Sequence, residues 1–523
     1  INLSAAGSVD ARSYYGKAGL WLLDPTDVTI NTVGPTTGAF SGESPNIWTD
    51  AAATASTIDV AAIDAALVLA DVTILTTSSG GGDGDIIVED GYVFDGLYSG
   101  NTLTLKAENN IHFTGDLFSS DLWLFSSDAS LVLSAGVNGA GDASMSKGVV
   151  IFDDQFGALK HIFFDASSTG NVTIYYNPVA YETPADFSGG SSDVVMDGSG
   201  TYTEYMLINT ADDLQAIGND DLEYAARMGN SYALSQNIDA SLASSTINPI
   251  GNGSDRFSGN FDGQMFEISK LTIDLPLVSN VGLFGFVNNN VTIENVGLVD
   301  VSITGNDDVG ALAGYVNAGS IIRNTYSTGE VVGSEDVGGL VGVMASYSVI
   351  ETSFSIVNVD GVTNVGGLIG LNVGADVTNT YAQGSVDGTT NVGGHTGFTD
   401  TGYESAAALY TNAYSTGLVT GGATAGALIG LTEGVGAHYL YSFSNSETSS
   451  QGSLFGTGSV LNTITGSSLL TTAAEMKEEA TYPSPEWDFA TTWQINEGNA
   501  FPQLFFETLD QPDEPDESKS CNT

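Results

Sequence analysis

A glycine-bracketed segment recurs six times between residues 281 and 430: VGLFG (281–285), VGALAG (309–314), VGGLVG (337–342), VGGLIG (365–370), VGGHTG (392–397) and AGALIG (425–430). From Val281 through Val309, Val337, Val365 and Val392 to Ala425 the steps are 28, 28, 28, 27 and 33 residues. A fixed period of this size belongs to chains that stack one small structural unit on the next. A second series keeps step with the first: RNTYSTG from Arg323, ETSFSIV from Glu351, TNTYAQG from Thr378, TNAYSTG from Thr411 and YSFSN from Tyr441. Its aromatic residues, Tyr326, Phe354, Tyr381, Tyr414 and Phe443, are 28, 27, 33 and 29 apart. Between these marks lie short β-rich pieces, such as SIIRNTYS and GEVVG, broken by Gly, Asn or Asp. The pattern predicts an all-β fold with one β-coil per repeat, a parallel β-solenoid.

In such a stack each coil pairs its backbone with the coils above and below, about 4.8 Å away. A repeat position therefore meets its own kind. Leu312, Leu340, Leu368 and Leu428 are expected to form one interior column, and the leading valines another. The glycines should provide positive φ or close approach at corners. The commoner use of an in-register aromatic series is an interior stack, which is the expectation for Tyr326, Tyr381 and Tyr414. The alternative is an exposed ladder that stacks on sugars.

Residues 1–205 carry a less regular series of strands. DVTI (27–30), DVTILTT (71–77), DIIVED (85–90), TLTLKAE (102–108), NIHFTG (110–115), DLWLFSS (121–127), SLVLSA (130–135), GVVIFDD (148–154), HIFFDAS (161–167) and NVTIYYN (171–177) each alternate apolar and polar residues. Period-two alternation predicts half-buried strands. Three stretches carry a helical pattern: IDVAAIDAALVLA (58–70), read as a short helix or a widened corner capping the stack, TADDLQAIGNDDLEYAARM (210–228) and AAEMKEEA (473–480). In the second, Thr210 is the expected N-cap with Asp213 three residues on, and Leu214, Ile217 and Leu222 form the apolar face. The segment WDFATTWQINEGNAFPQLFF is expected to cap the final coil through Trp487, Trp493 and Phe501. LDQPDEPDESKSCNT (509–523) reads as an acidic, disordered tail. The domain reading is thus 1–205, 206–508 and 509–523.

Several of these segments resemble known families. INLSAAGSVDA, GLWLLDPTDVTI, STIDVAAIDAAL, DVTILTTSSGGGDGDIIVED and NTLTLKAENNIHFTG are similar to filamentous-haemagglutinin-type exoproteins of two-partner secretion. YMLINTADDLQAI, YALSQNIDAS, INPIG, FSGNFDGQMFEISKLTI, the VGGLVG series and WDFATTWQINEGNAFPQL resemble GLUG-repeat regions. The resemblance implies a right-handed parallel β-helix and export through an outer-membrane partner transporter of a Gram-negative type bacterium. It also implies service as an adhesin or matrix protein at the cell surface or in the medium. The partners implied are a host or neighbouring-cell surface, a glycan or matrix, with self-association into filaments as the runner-up.

Charge narrows the partners further. The chain has 63 Asp plus Glu against 11 Lys plus Arg, a formal charge of −52. Phosphate backbones and anionic membranes are repelled by such a surface, so nucleic acid is excluded as a natural partner. A salty medium, which screens self-repulsion, suits it. The single cysteine, Cys521, allows no disulfide within a monomer, leaving a covalent link to another chain or an inert tail residue. The opening INLSAAG, without Met, is read as the product of leader removal on export.

Candidate chemistry is sparse. Acidic corners precede the valine series, aligning Asp308, Asp336, Asn364 and Asn391 in successive coils, with Asp307 and Glu335 beside the first two. Clustered carboxylates suit Ca²⁺, so Asp307, Asp308, Glu335 and Asp336 are the candidate metal ligands. The competing explanation is turn chemistry, because Asp and Asn favour such corners. Of four histidines, His395 falls in the register of the leucine column and should be a packed interior residue, whereas His112 and His161 should face solvent. Carboxylate pairs such as Asp153/Asp154 and Asp220/Asp221 exist, but the scarcity of Arg and Lys argues against a polysaccharide lyase. No catalytic residue is assigned, and the expectation is a non-enzymatic protein. The insertion TDTGYESAAAL (399–409), which makes the last step 33, is the loop expected to meet a partner.

Overall fold

The computed structural model describes residues 27–508 apart from short internal stretches, the longest of which are 115–122, 137–147 and 153–161. The opening segment, the acidic tail, His161, Asp153, Asp154, Asp220 and residues 403–406 of the insertion lie outside the described residues. Two compact units divide the chain: Ile1–Asn177 with Ala185–Glu204, and Pro178–Pro184 with Tyr205–Thr523. Both are parallel β-solenoids, about 12 turns in all.

The first unit stacks its strands on three faces. One runs through Ser56–Asp59, Val28–Asn31, Ile86–Val88, Ile111–Phe113 and Val150–Phe152, in parallel register. Another runs through Tyr92–Phe94, Trp123–Phe125, Ile162–Phe164 and Val194–Met196. The third includes Val72–Leu75, Thr102–Ala107, Ser130–Ala135 and Val172–Tyr176. Alternation in the sequence becomes alternation in burial, as in Thr102–Ala107, where every second side chain is inside. Like meets like in the core: Phe94, Phe125 and Phe164 stack at 4.6 and 4.5 Å between ring centroids. The helix expected at 58–70 spans Val60–Leu67, because Ser56–Asp59 is strand and Asp59 caps the helix by accepting from the Ala61 amide.

In the second unit the repeat becomes literal. The leading valines pair in register from Val281 through Val309, Val337, Val365 and Val392 to Ala425. The leucine column is held by its own backbone: Leu312 donates to Leu340, Leu340 to Leu368, Leu368 to His395 and His395 to Leu428, at 2.8–3.0 Å. All these side chains are fully buried. The ladder glycines serve close approach rather than positive φ. A Cβ on Gly366 would lie 1.9 Å from the Ile369 carbonyl oxygen, and one on Gly339 would lie 2.3 Å from Ser355 Oγ. Left-handed backbone sits instead at two rows of corner residues, Asn295, Asn324, Thr352, Asn379 and Asn412, and Asp308, Asp336, Asn364 and Asn391, all with φ between 48° and 57°. Asn and Asp tolerate that region better than other side chains.

Two sequence expectations change. The single helix over 210–228 is broken into Ala211–Gly218 and Tyr224–Arg227. Thr210 and Asp213 do form the reciprocal capping box, and Leu214 and Ile217 are buried. Leu222, however, is 98% exposed. Buried Arg227 pins the break by donating to the carbonyls of Ile217 and Asn219 and to Asp221 at 2.7 Å. The helix expected over 473–480 is two single turns, Glu475–Lys477 and Glu479–Thr481.

Leu340→Ala should lower stability by about 2–5 kcal/mol, and Leu340→Asp should leave no folded protein, because the charge has no partner in the column. Denaturant unfolding of the first and soluble yield of the second check this. A folded Asp variant would mean that the column does not hold the coils.

Candidate functional site

The aromatic series is the most organised feature of the second unit's surface. Tyr326, Phe354, Tyr381, Tyr414 and Phe443 pair in direct register. The first four rings stack at 4.9, 4.6 and 4.9 Å, within 10° of parallel. The rings are buried (Tyr326 only partly), as expected of an interior stack, but they lie outside the coil rather than within it, for a local reason. Along each strand side chains alternate inward and outward, and the inward residue is the small one that follows the ring. Ser327 donates to the Gly339 carbonyl at 2.9 Å, and Ser415 to the Ala427 carbonyl at 2.7 Å, across the narrow interior. The rings therefore point out.

The C-terminal segment covers them. Met476, Tyr482, Trp487, Trp493 and Leu504 form one buried cluster with the ladder rings. The expected end cap is thus a strap laid along the side. Trp487 Nε1 donates to the Tyr441 carbonyl at 3.0 Å, Asn412 donates to the Glu486 carbonyl at 2.7 Å, and Trp493 Nε1 donates to Asn379 Oδ1 at 3.2 Å. The Tyr414 hydroxyl donates to the Pro502 carbonyl. Phe506 ends the described strap over Tyr326 and Phe354, at 6.3 and 5.9 Å. The ladder's last polar groups are satisfied by the strap, so its aromatic residues are surface in topology and core in environment.

Two columns of polar side chains run beside the aromatic one. In the first, Asn324 Nδ2 donates to Asn295 Oδ1 at 3.0 Å, and Asn295 Nδ2 to Asp262 Oδ1 at 3.0 Å. In the second, Asn391 donates to Asn364 and Asn364 to Asp336, each at 2.7 Å. Asp336 in turn neighbours Asp308 of the adjacent coil, and the two carboxyls act on each other. Burial, and then the neighbouring carboxylates Asp336, Asp307 and Glu335, push Asp308 up to about 7. Asp336 is pushed up to about 6, mainly by burial, with the Asn364 amide pulling the other way. Asp307 accepts from Asn306 and Ser279, and Glu335, its register partner in the next coil, is exposed. Among the described residues no group of three or more His, Cys, Asp or Glu side chains is placed to hold a metal ion.

His395 lies inside the leucine column, fully buried, with its ring nitrogens 3.0 Å from the hydroxyls of Thr380 and Thr396. Burial holds it neutral, down to about 3. Around it Tyr410, Asn372 and Thr399 form a second buried polar cluster. His112 is half-buried on the outward face of its strand. Asp221 is committed to Arg227.

Comparison with known proteins adds a short list. No family model matches the chain. A 177-residue stretch, 32% of the chain, is 37% identical to halomucin of Haloquadratum walsbyi (strain DSM 16790 / HBSQ001). The match spans 2% of the length of that curated relative. Among solved structures, a Bacteroides ovatus protein provisionally assigned as an immunoglobulin A1 protease aligns over 58% of this chain and 92% of its own. The identity is 21% and the TM-score 0.43.

Asp308 and Asp336 take up protons at higher pH in the folded chain than at the ordinary carboxylate value of 3.8. Their stabilisation is therefore fully present below about pH 3.8, declines as pH rises from there, and is lost once pH has passed through about 6 and 7. Asp308→Asn, which extends the amide column by one rung, should stabilise the protein by on the order of 1 kcal/mol at about pH 8, by progressively less as pH falls, and by nothing below about pH 3.8. Thermal unfolding across that range measures it; a gain independent of pH would rule out the raised carboxyls. Trp493→Ala should cost about 3–5 kcal/mol locally and free the strap, seen as increased binding of an apolar dye with the β-sheet circular dichroism unchanged. Unchanged dye binding would mean that the strap is held elsewhere.

Proposed function

We propose that this chain is part of an exported, non-enzymatic surface protein whose β-solenoid makes contact with cells, surfaces or matrix. The observation that carries this reading is the 37% identity to halomucin over 177 residues. That name joins salt to mucin, and the present chain has the matching composition, a formal charge of −52 with only 11 basic residues. A carboxylate-rich surface holds water and counter-ions and repels its own kind, which keeps a large exported protein dispersed in concentrated salt. The regular faces of stacked coils supply extended contact area without a catalytic centre. The adhesive role and export through a partner barrel are the finer part of this reading, and they rest on the motif resemblance.

A second reading, a subunit of an extracellular filament, is favoured by one feature. Thr463–Thr465 and Leu470–Thr471 pair with the preceding coil, and among the described residues no further strand pairs beyond them. The described strap packs along the aromatic rings. An unpaired edge is a template for another chain.

Antibody against the purified chain should label intact cells of the source organism at their surface or in the surrounding matrix. Labelling confined to the interior of opened cells would overturn the reading. Negative-stain microscopy separates the filament form, which shows continuous fibres, from discrete particles.

A further inference from the structure

The strap leaves one part of the aromatic ladder open. At the register of the five ring-bearing rungs, the coil before Tyr326 carries Gly297, and the coil before that carries Glu267. With no side chain at Gly297, the Tyr326 ring reaches across it and its hydroxyl donates to Glu267. A Cβ on Gly297 would lie 2.4 Å from that ring. The ladder therefore ends in a recess of about 210 Å³ beside Phe506.

We infer that this recess is a binding site for a single pyranose ring of a neutral glycan. Its walls are Met265, Tyr326, Phe354, Ile356 and Phe506, and its rim carries Asn295, Asn324 and Thr328. A pyranose has the same division, an apolar face of C–H bonds and an equatorial belt of hydroxyls. Ile356, on this wall, is 41% exposed apolar surface among the described residues. The amide column supplies the directional element. Asn324 gives its amide N–H to Asn295, but its own carbonyl oxygen accepts no hydrogen bond from any described residue, because the next corner is Thr352 rather than Asn. A sugar hydroxyl can donate there, and the Thr328 hydroxyl, which already accepts from the Asp300 amide, can donate outward.

Charge selects among sugars. No lining side chain is charged, and the carboxylates bonded to lining residues, Glu267 and Asp262, are engaged by Tyr326 and Asn295. A uronate or sulfated sugar would enter against the acidic surface with no cation to receive it. Size sets the length of ligand held: the recess is below the roughly 300–1,000 Å³ of pockets that enclose larger ligands. It grips one ring of a longer chain and leaves the rest in solvent.

This deepens the surface-contact reading and rests on it for its biological use, but not for its test. Saturation-transfer NMR with the methyl glycosides of glucose, galactose, mannose and N-acetylglucosamine, in high salt, should give transfer to ring C–H protons for at least one of them. The methyl glycoside of galacturonic acid, as its sodium carboxylate, should give none. Phe506→Ala removes a wall and Thr328→Trp fills the recess from its rim; each should weaken binding about tenfold or more, the second without exposing the ladder. Transfer from none of the neutral glycosides, transfer unchanged in Thr328→Trp, or tighter binding of the uronate would overturn the inference. Surface labelling that persists in those cases would leave the broader reading standing.

Discussion

Everything in the second unit follows from one constraint: a side chain at a given repeat position lies one coil spacing, about 4.8 Å, from its counterpart. Identical apolar groups benefit from that proximity, identical amides can bond in a column, and identical carboxylates cannot. The leucine and valine columns illustrate the first case, and Asn364 and Asn391 the second. Asp308 and Asp336 illustrate the third, where burial and neighbouring carboxylates push both above the usual carboxylate range. His395 interrupts the leucine column without breaking it, because two threonine hydroxyls meet its ring nitrogens and burial keeps it uncharged.

Period and alternation made much of this legible. The phase of VGGLVG predicts which leucines and valines share a column, and the columns are there. Thr210 and Asp213 announce a helix start that the structure contains. Asn at successive corners is also readable, since the chemistry of the residue and the required left-handed φ agree. What sequence could not supply was the direction of the aromatic series. Period two is blind to which alternate set faces inward when both sets are unusual. The decision lies in Ser327, Ser355, Ala382 and Ser415, whose small size fits against the glycine row across the interior, for which only rings outside leave room. Once the rings are outside, Trp487, Trp493 and Phe506 must serve them, and the strap replaces the cap. The recess was equally hidden, because its defining residue is the absence of a side chain at Gly297.

Electrostatics divides the molecule by depth. Outside, uncompensated carboxylates dominate, and their mutual repulsion falls as salt shortens the Debye length from about 10 Å at 0.1 M to about 3 Å at 1 M. Basic residues are used where they bond specifically, as Arg227 does at the helix break and Arg323 does with Glu294 at 2.6 Å. Inside, neutral hydroxyls and amides do the polar work, as in the Tyr410, Asn372 and Thr399 cluster. A core of this kind is insensitive to ionic strength, while the surface depends on it.

The strap sets an order of events as the chain emerges. Each coil can settle on its predecessor as soon as it has been delivered, but the rings from Tyr326 to Phe443 have no cover until residues near 500 arrive. For that interval a growing stack carries an oily stripe down one flank. Because the strap folds back over several earlier turns, covering that stripe waits on residues that lie far along the chain from the rungs they serve.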